Sequence, residues 1–217
     1  MNLEELERIL KQRRSVRKWQ DKQVPEELLL KAIEVGSWAP SSGGRQPYHF
    51  YLVTNRDKIK ELGQAVQDKV DLIASWPESQ DYPKDLERLG KNSTFFARAP
   101  AVIIACTGSY QSPADKFLQQ RPDDEDVKAM MKAREASSSR LQSAAAAVTQ
   151  MLVYLHAQGL GAVWMSGPAI AKKQIEKVLG IPDGLDFAAL IPVGYPAEEP
   201  EPRDHKPIEE LVTVVRA

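Results

Sequence analysis

The stretch "WAPSSGGRQPYHFYLVT", Trp38–Thr54, carries three backbone instructions in succession. It closes the segment "VPEELLLKAIEVGSWAP", where Pro25 suits the first helical position and Glu26 and Glu27 favour the positive end of a helix dipole. Pro40 disfavours helical geometry at Ala39 and so marks the stop. "PSSGGRQP", Pro40–Pro47, is then a loop by composition. "YHFYLVT" alternates aromatic and β-branched residues and reads as a strand. A helix thus hands over to a strand through a loop of hydroxyls and glycines.

The rest of the chain repeats the mixture. "LEELERILKQR" sets Leu3, Leu6, Ile9 and Leu10 at helical spacing, giving one apolar face. "RDKIKELGQAVQDKVDLIASW" is helical in pattern, and "APAVIIACTG" is a buried strand. "SSSRLQSAAAAVTQMLVYLHAQGLGA" is the strongest helix; its alanine run lets another backbone or a flat ligand approach closely, and Gly159 ends it. "IAKKQIEKVLGIP" is a further helix closed by Gly180 and Pro182, and "DFAALIPVGYP" a third strand. The tail "AEEPEPRDHKPIEELVTVVRA" begins proline-rich and ends β-branched, which predicts a segment that wraps over a neighbour before pairing as an edge strand. From Gln111 to about Ala133, "QSPADKFLQQRPDDEDVKAMMKA" is polar, acidic and broken by prolines, an excursion or lid more than core. No repeat or interior linker divides the chain, so residues 1–217 read as one α+β domain with more helix than sheet.

Composition excludes several classes of function. Lys and Arg total 29 against 30 acids, so no global field holds nucleic acid or a membrane surface. No apolar stretch reaches spanning length, and "MNLEELERIL" is too charged for a signal peptide; a cytoplasmic protein is expected. The single cysteine, Cys106, lies in "AVIIAC", where a buried, inert thiol is expected. The P-loop pattern is absent, and "GLGAVW" lacks the third glycine of a dinucleotide fingerprint and follows a helix. His49, His156 and His205 show no metal spacing, so no metal site is expected. His156 reads as a packing residue, and Ser41 and Ser42 lack an elbow motif or a matched base, which argues against a hydrolase.

What remains is a set of local constellations. "KQRRSVRKW", Lys11–Trp19, gathers five cationic side chains in a chain of net charge −1. Such runs are ordinarily solvated surface. A local cluster in a neutral chain nonetheless suits a small anion: Arg13, Arg14 and Arg17 can present guanidinium forks to a phosphate, and Ser15 adds a donor. In "PSSGGRQPY" two hydroxyls stand beside two glycines, whose missing side chains let backbone amides approach a planar polar ligand. "GLGAVWMSG" offers Trp164, Met165 and exposed backbone to a ring.

In this order, "RRSVRKW", "WAPSSGGRQPYHFYLVT", "GLGAVWMSG" and "LIPVGYPAEEPEPRDHKP" resemble the nitroreductase family of FMN-dependent oxidoreductases, from about Leu6 to Leu211. The resemblance implies an α+β nitroreductase-like fold, with a central, mainly antiparallel sheet flanked by helices. It also implies a homodimer with FMN at the subunit interface and the C-terminal tail exchanged across it. By the same similarity Arg13, Arg14, Ser15 and Arg17 would hold the FMN phosphate and adjoining polar groups, while Pro40, Ser41, Ser42 and Gly44 would reach that flavin from the partner subunit. Trp164, Met165, Ser166 and Gly167 would line the ring near its reactive nitrogen. Arg203 and a second cation, His205 or Lys206, would close the phosphate pocket. Asn92 in "KNSTFF" and Ser143 at the start of the alanine helix are implied as polar contacts of the ring.

The implied reaction passes hydride from NADH or NADPH through the flavin to a small electrophilic acceptor such as a nitroaromatic or quinone. One shared site implies ping-pong kinetics, and no side chain is named as acid or base. The rival readings are a dehalogenating, enoyl- or aldehyde-reducing flavoenzyme of similar fold, or a flavin-binding protein without turnover. Met130, Met131 and Phe117 give the 111–133 excursion an adaptable apolar side, suited to flat acceptors as a substrate lid.

Overall fold

The computed structural model describes residues 2–216. Its α-helices are α1 (Leu3–Gln12), α2 (Glu26–Ser37), α3 (Arg56–Ala74), α4 (Pro83–Thr94), α5 (Pro113–Leu118), α6 (Glu125–Ser137), α7 (Ser139–Ala157), α8 (Lys172–Leu179) and α9 (Ile208–Leu211). Its strands are β1 (Tyr48–Val53), β2 (Ala101–Thr107), β3 (Gly161–Ala162) and β4 (Asp186–Gly194). They form one sheet in the order β1-β2-β4-β3, with every neighbouring pair antiparallel.

Strand alternation divides the core into two layers. On β2, Val102, Ile104 and Cys106 face the layer holding α3 residues Ile59, Leu62 and Val66, together with Phe95 and Phe96. Ala101, Ile103 and Ala105 face the other, with Leu29 and Ala32 of α2 and Val148, Met151 and Leu155 of α7. Strand β4 follows suit until the register shifts at Ala105/Cys106, where Ala189 pairs with Ala105 but Phe187 with Cys106. Ala188 is thus an extra residue, and the bulge turns Phe187 to the same layer as Leu190, three positions away.

The alanine run of α7 serves a backbone. A Cβ on Gly36 of α2 would lie 2.9 Å from the Ala147 carbonyl oxygen, so these two helices pack at nearly main-chain contact. Cys106 is fully buried, and burial first, then the charges of Glu176 and Asp186, push its thiol up to about 12, the inert thiol expected.

Four features differ from the sequence reading. Pro25 is the residue before α2 instead of its first, and the helix ends at Ser37, two residues short of Ala39. Helix α4 is not among the expected elements: its apolar signal is short, two half-buried leucines, Leu86 and Leu89, with only Ser93 fully buried. Strand β3, with two residues, is too short to announce itself. The tail forms no edge strand among the described residues: after the prolines it makes the short α9, and Val212, Val214 and Val215 stay exposed. The excursion is ordered as α5 and α6, joined by Arg134, whose guanidinium donates to Asp115 and Ser112 at 2.7 Å each.

The segment between α1 and α2 fixes the edge of the sheet. Val16 N donates to the Ala162 carbonyl at 3.2 Å, beside a parallel bridge between Ser15 and Ala162. Trp19 Nε1 donates to the Gly161 carbonyl at 2.8 Å, and its ring stacks on Phe95. Gly161 must be glycine here, since a Cβ would fall 2.7 Å from Val16 Cγ1 and 2.8 Å from Val16 Cβ. Gly161→Ala is expected to cost about 1–3 kcal/mol by overpacking. Urea unfolding checks this; a loss under 0.5 kcal/mol, on the order of an ordinary surface change, would show that the contact yields.

Candidate functional site

The C-terminal segment ties the cationic cluster down. Gln20 N donates to Tyr195 O at 2.9 Å and Ala197 N to Lys18 O at 3.0 Å. The Glu198 carboxylate accepts from Arg17 N at 2.6 Å and Lys18 N at 3.2 Å. Backbone held on both sides, by β3 and by the 195–198 segment, leaves the side chains of Arg13, Arg14, Ser15 and Arg17 in a fixed row. They line a cavity of about 400 Å³ together with Arg203, His205 and Glu201. Of the two candidates for the second cation, His205 lines it, whereas Lys206 pairs with Glu210 at 3.7 Å.

This row is electrostatically unfinished. Among the described residues, none of Arg13, Arg14, Arg17 and Arg203 forms an ion pair with a carboxylate, and four guanidiniums stand together around one cavity. Arg14 spends one nitrogen on the Lys11 carbonyl at 2.6 Å, and Arg17 donates to Ser15 O at 3.2 Å. His156, on the last turn of α7, registers the resulting field: burial first, then the charges of Arg13, Arg14 and Arg8, hold its imidazole below the ordinary value.

A second, larger cavity of about 1030 Å³ shares Arg17 and Arg203 with the first. Trp164, Met165, Ser166 and Gly167 form one wall, and α4 forms the other through Asn92 and its neighbours. Met165 is pinned in both directions to Leu190 of β4, by hydrogen bonds of 2.9 and 3.0 Å. The wall is therefore an extension of the sheet and not a free loop.

The structure does not bring every expected residue to these cavities. Pro40, Ser41, Ser42 and Gly44 line neither. Their loop is anchored on α7: Ser42 N donates to Ser143 Oγ at 3.1 Å, and Ser42 Oγ to the Ser139 carbonyl at 3.2 Å. Ser143 itself is buried and donates to Ser139 O at 2.7 Å, so within one chain it supports the loop. Gly43 and Gly44 both adopt positive φ, which bends the loop outward. Sequence reading missed the α4 residues Asp85, Arg88 and Leu89, which line the larger cavity. Their spacing with Asn92 and Ser93 marks one helix face, a signal visible only once the helix is known. Among the described residues no cluster of three metal-ligating side chains occurs, and no helix is long and apolar enough to cross a membrane.

An antiparallel sheet between helical layers is thus bordered by a phosphate-sized cationic cavity that shares Arg17 and Arg203 with a broader one. The chain belongs to the Nitroreductase family, whose model matches residues 10–195. A protein of Methanothermobacter thermautotrophicus, provisionally named an NADH dehydrogenase/NAD(P)H nitroreductase, is 29% identical over 197 residues, 90% of this chain and 79% of its own. A BluB-like flavoprotein of Clostridium difficile superposes with a TM-score of 0.86 over all of both chains at 24% identity. A nitroreductase of Desulfitobacterium hafniense solved with bound FMN superposes with a TM-score of 0.70, again over all of both chains, at 19% identity. The protein is accordingly an oxidoreductase of the Nitroreductase family, in which the Desulfitobacterium protein binds FMN as cofactor.

The donor set fits that cofactor. A phosphate monoester carries roughly −1.5 to −2 charge near neutral pH, and uncompensated guanidinium forks are the side chains that bind such a group bidentately. Arg13→Ala and Arg17→Ala are each expected to give a folded but colourless protein. Circular dichroism together with flavin absorbance after purification checks this, and normal flavin retention in both variants would contradict the phosphate assignment.

Proposed function

We propose that this protein is a homodimeric flavin reductase that takes hydride from NADH or NADPH and passes it to a small electrophilic acceptor, such as a nitroaromatic or quinone, by a ping-pong mechanism. The observation that carries this reading is the adjacency of the two cavities, which share Arg17 and Arg203 as lining residues. It joins a phosphate-binding end to a wall suited to a flat ring in a single site. Arg13, Arg14, Ser15, Arg17, Arg203 and His205 would hold the phosphate end of FMN, and Trp164, Met165, Ser166, Gly167 and Asn92 the ring. Bound there, the cofactor supplies hydride acceptance and donation.

The chain's own residues orient, compensate charge and exclude water. Met165 N is committed to Leu190 O, so the amides that the wall can offer to a ligand are those of Ser166 and Gly167. They open the 3₁₀ turn Gly167–Ala171, where backbone donors lack intrahelical partners and favour negative charge. With one broad cavity for both reactants, the oxidised dinucleotide would leave before the acceptor enters.

A second copy of the chain completes the site in this reading. The apolar side of α1 is uncovered at Leu3 and Leu10, and Ile208, Leu211 and Val214 of the tail are more than half exposed. Such area in a single chain favours burial against a partner. The tail would cross to that partner, and Pro40, Ser41, Ser42 and Gly44 would reach the partner's flavin. The α5–α6 excursion would then serve as a lid at the same junction. Tyr110, just before it, lies 3.6 Å from the position of a Cβ on Gly43, and a cavity of about 940 Å³ lined by Tyr110, Leu118 and Met131 opens between the excursion and α7.

Two measurements follow. Initial rates against NADH at several acceptor concentrations are expected to give parallel double-reciprocal lines; intersecting lines would overturn the shared site. Replacing residues 111–133 with a short linker is expected to change preference among nitroaromatic and quinone acceptors at unchanged flavin content. Unchanged preference would make the excursion a surface helix pair.

A further inference from the structure

One cation of the larger cavity, Arg88, has no role in holding the phosphate or the ring. Helix α4 turns Asp85, Arg88, Leu89, Asn92 and Ser93 toward that cavity, a single stripe at helical spacing. Arg88 stands four residues before Asn92, about 6 Å farther along the helix axis at 1.5 Å per residue. Of the other charges of α4, Lys91 pairs with Glu87, and Lys84 does not line the cavity. Arg88 makes no hydrogen bond or ion pair among the described residues, and Asp85, which also lines the cavity, lies beyond the 4.0 Å of an ion pair with it. A guanidinium lining a cavity that already carries Arg17 and Arg203 adds a third cation against one carboxylate, Asp85. Such a balance favours an anionic reactant.

We infer that Arg88 is a specificity-determining residue that binds an anionic group, a carboxylate or phosphate, on the reactant seated in the larger cavity. The inference rests on the assignment of that cavity to the flavin ring and its reactants. The anion has two sources: the phosphates of NAD(P)H, or a carboxylate carried by the acceptor. In either case the planar fork gives a bidentate, charge-assisted contact that a neutral reactant cannot use. Leu89, next to it on the same face, supplies apolar contact to the body of the reactant.

The experiment compares the FMN-loaded wild-type protein with Arg88→Gln and Arg88→Lys. Flavin content is read from absorbance, and the two half-reactions are followed separately under anaerobic conditions. Reduction uses NADH; reoxidation uses para-nitrobenzoate and, as its neutral counterpart, nitrobenzene. Arg88→Gln is expected to retain FMN, leave the nitrobenzene half-reaction unchanged, and weaken apparent binding of an anionic reactant about tenfold, the scale of one charge-assisted hydrogen bond. Arg88→Lys is expected to recover part of the loss. Weakening confined to NADH places the anion on the reductant, and weakening confined to para-nitrobenzoate places it on the acceptor. Equal binding of both anions to wild-type and Arg88→Gln would overturn the inference, as would equal weakening of nitrobenzene and para-nitrobenzoate, which would mean packing. Loss of FMN from Arg88→Gln would overturn it too, because Arg88 would then belong to the cofactor. If wild-type protein holds no FMN at all, the cavity assignment fails and the inference falls with it.

Discussion

The structure depends on a backbone constraint: the segment that carries the arginines is stitched into the sheet from both sides. Val16 bonds to Ala162, Trp19 to Gly161, and Gln20 and Lys18 to the 195–197 segment. An arginine is a long, flexible side chain, and a row of them on a free loop would lose much of its binding energy to ordering. Here the ordering of the main chain is accomplished during folding, by the same hydrogen bonds that close the sheet edge beyond β3. Gly161 is the point where this works, since only a missing side chain lets Val16 approach so closely.

That constraint also explains why the cations remain unpaired. Glu198 is the acid nearest in role, yet its carboxylate accepts from the backbone amides of Arg17 and Lys18 and so leaves the guanidiniums free. Elsewhere the chain neutralises its surface with short-range pairs such as Lys58–Glu61 and Lys128–Glu125. Pairs of that kind contribute on the order of 0.2–1 kcal/mol when exposed.

Much of this was legible in the sequence because the residues involved are punctuation or charge. Pro40 and the Ser41–Gly44 run mark the loop, alternation marks β1, and the arginines declare themselves. The wall at Trp164–Gly167 was legible as a motif, but its support was not: the two-residue strand β3 and the Met165–Leu190 bridge form only because β4 and Val16 are already in place. Helix α4 is less legible, because its apolar signal is only two half-buried leucines, Leu86 and Leu89, in an otherwise polar helix. The β-branched end of the tail misled because β propensity needs an edge to pair with; at the β3 end of the sheet that edge is covered by Ser15 and Val16.

The central claim is that each flavin is held by the arginine row of one chain and the hydroxyl-and-glycine loop of another. Mixed dimers test it most directly. Arg17→Ala disables the row and Ser41→Asp the loop, so each parent dimer would lack FMN. A dimer containing one chain of each kind would keep one intact site, built from the row of the Ser41→Asp chain and the loop of the Arg17→Ala chain. The account predicts that purified mixed dimers recover one FMN per dimer, read from flavin absorbance. Mixed dimers as colourless as both parents would contradict it, and so would recovery of flavin at two sites.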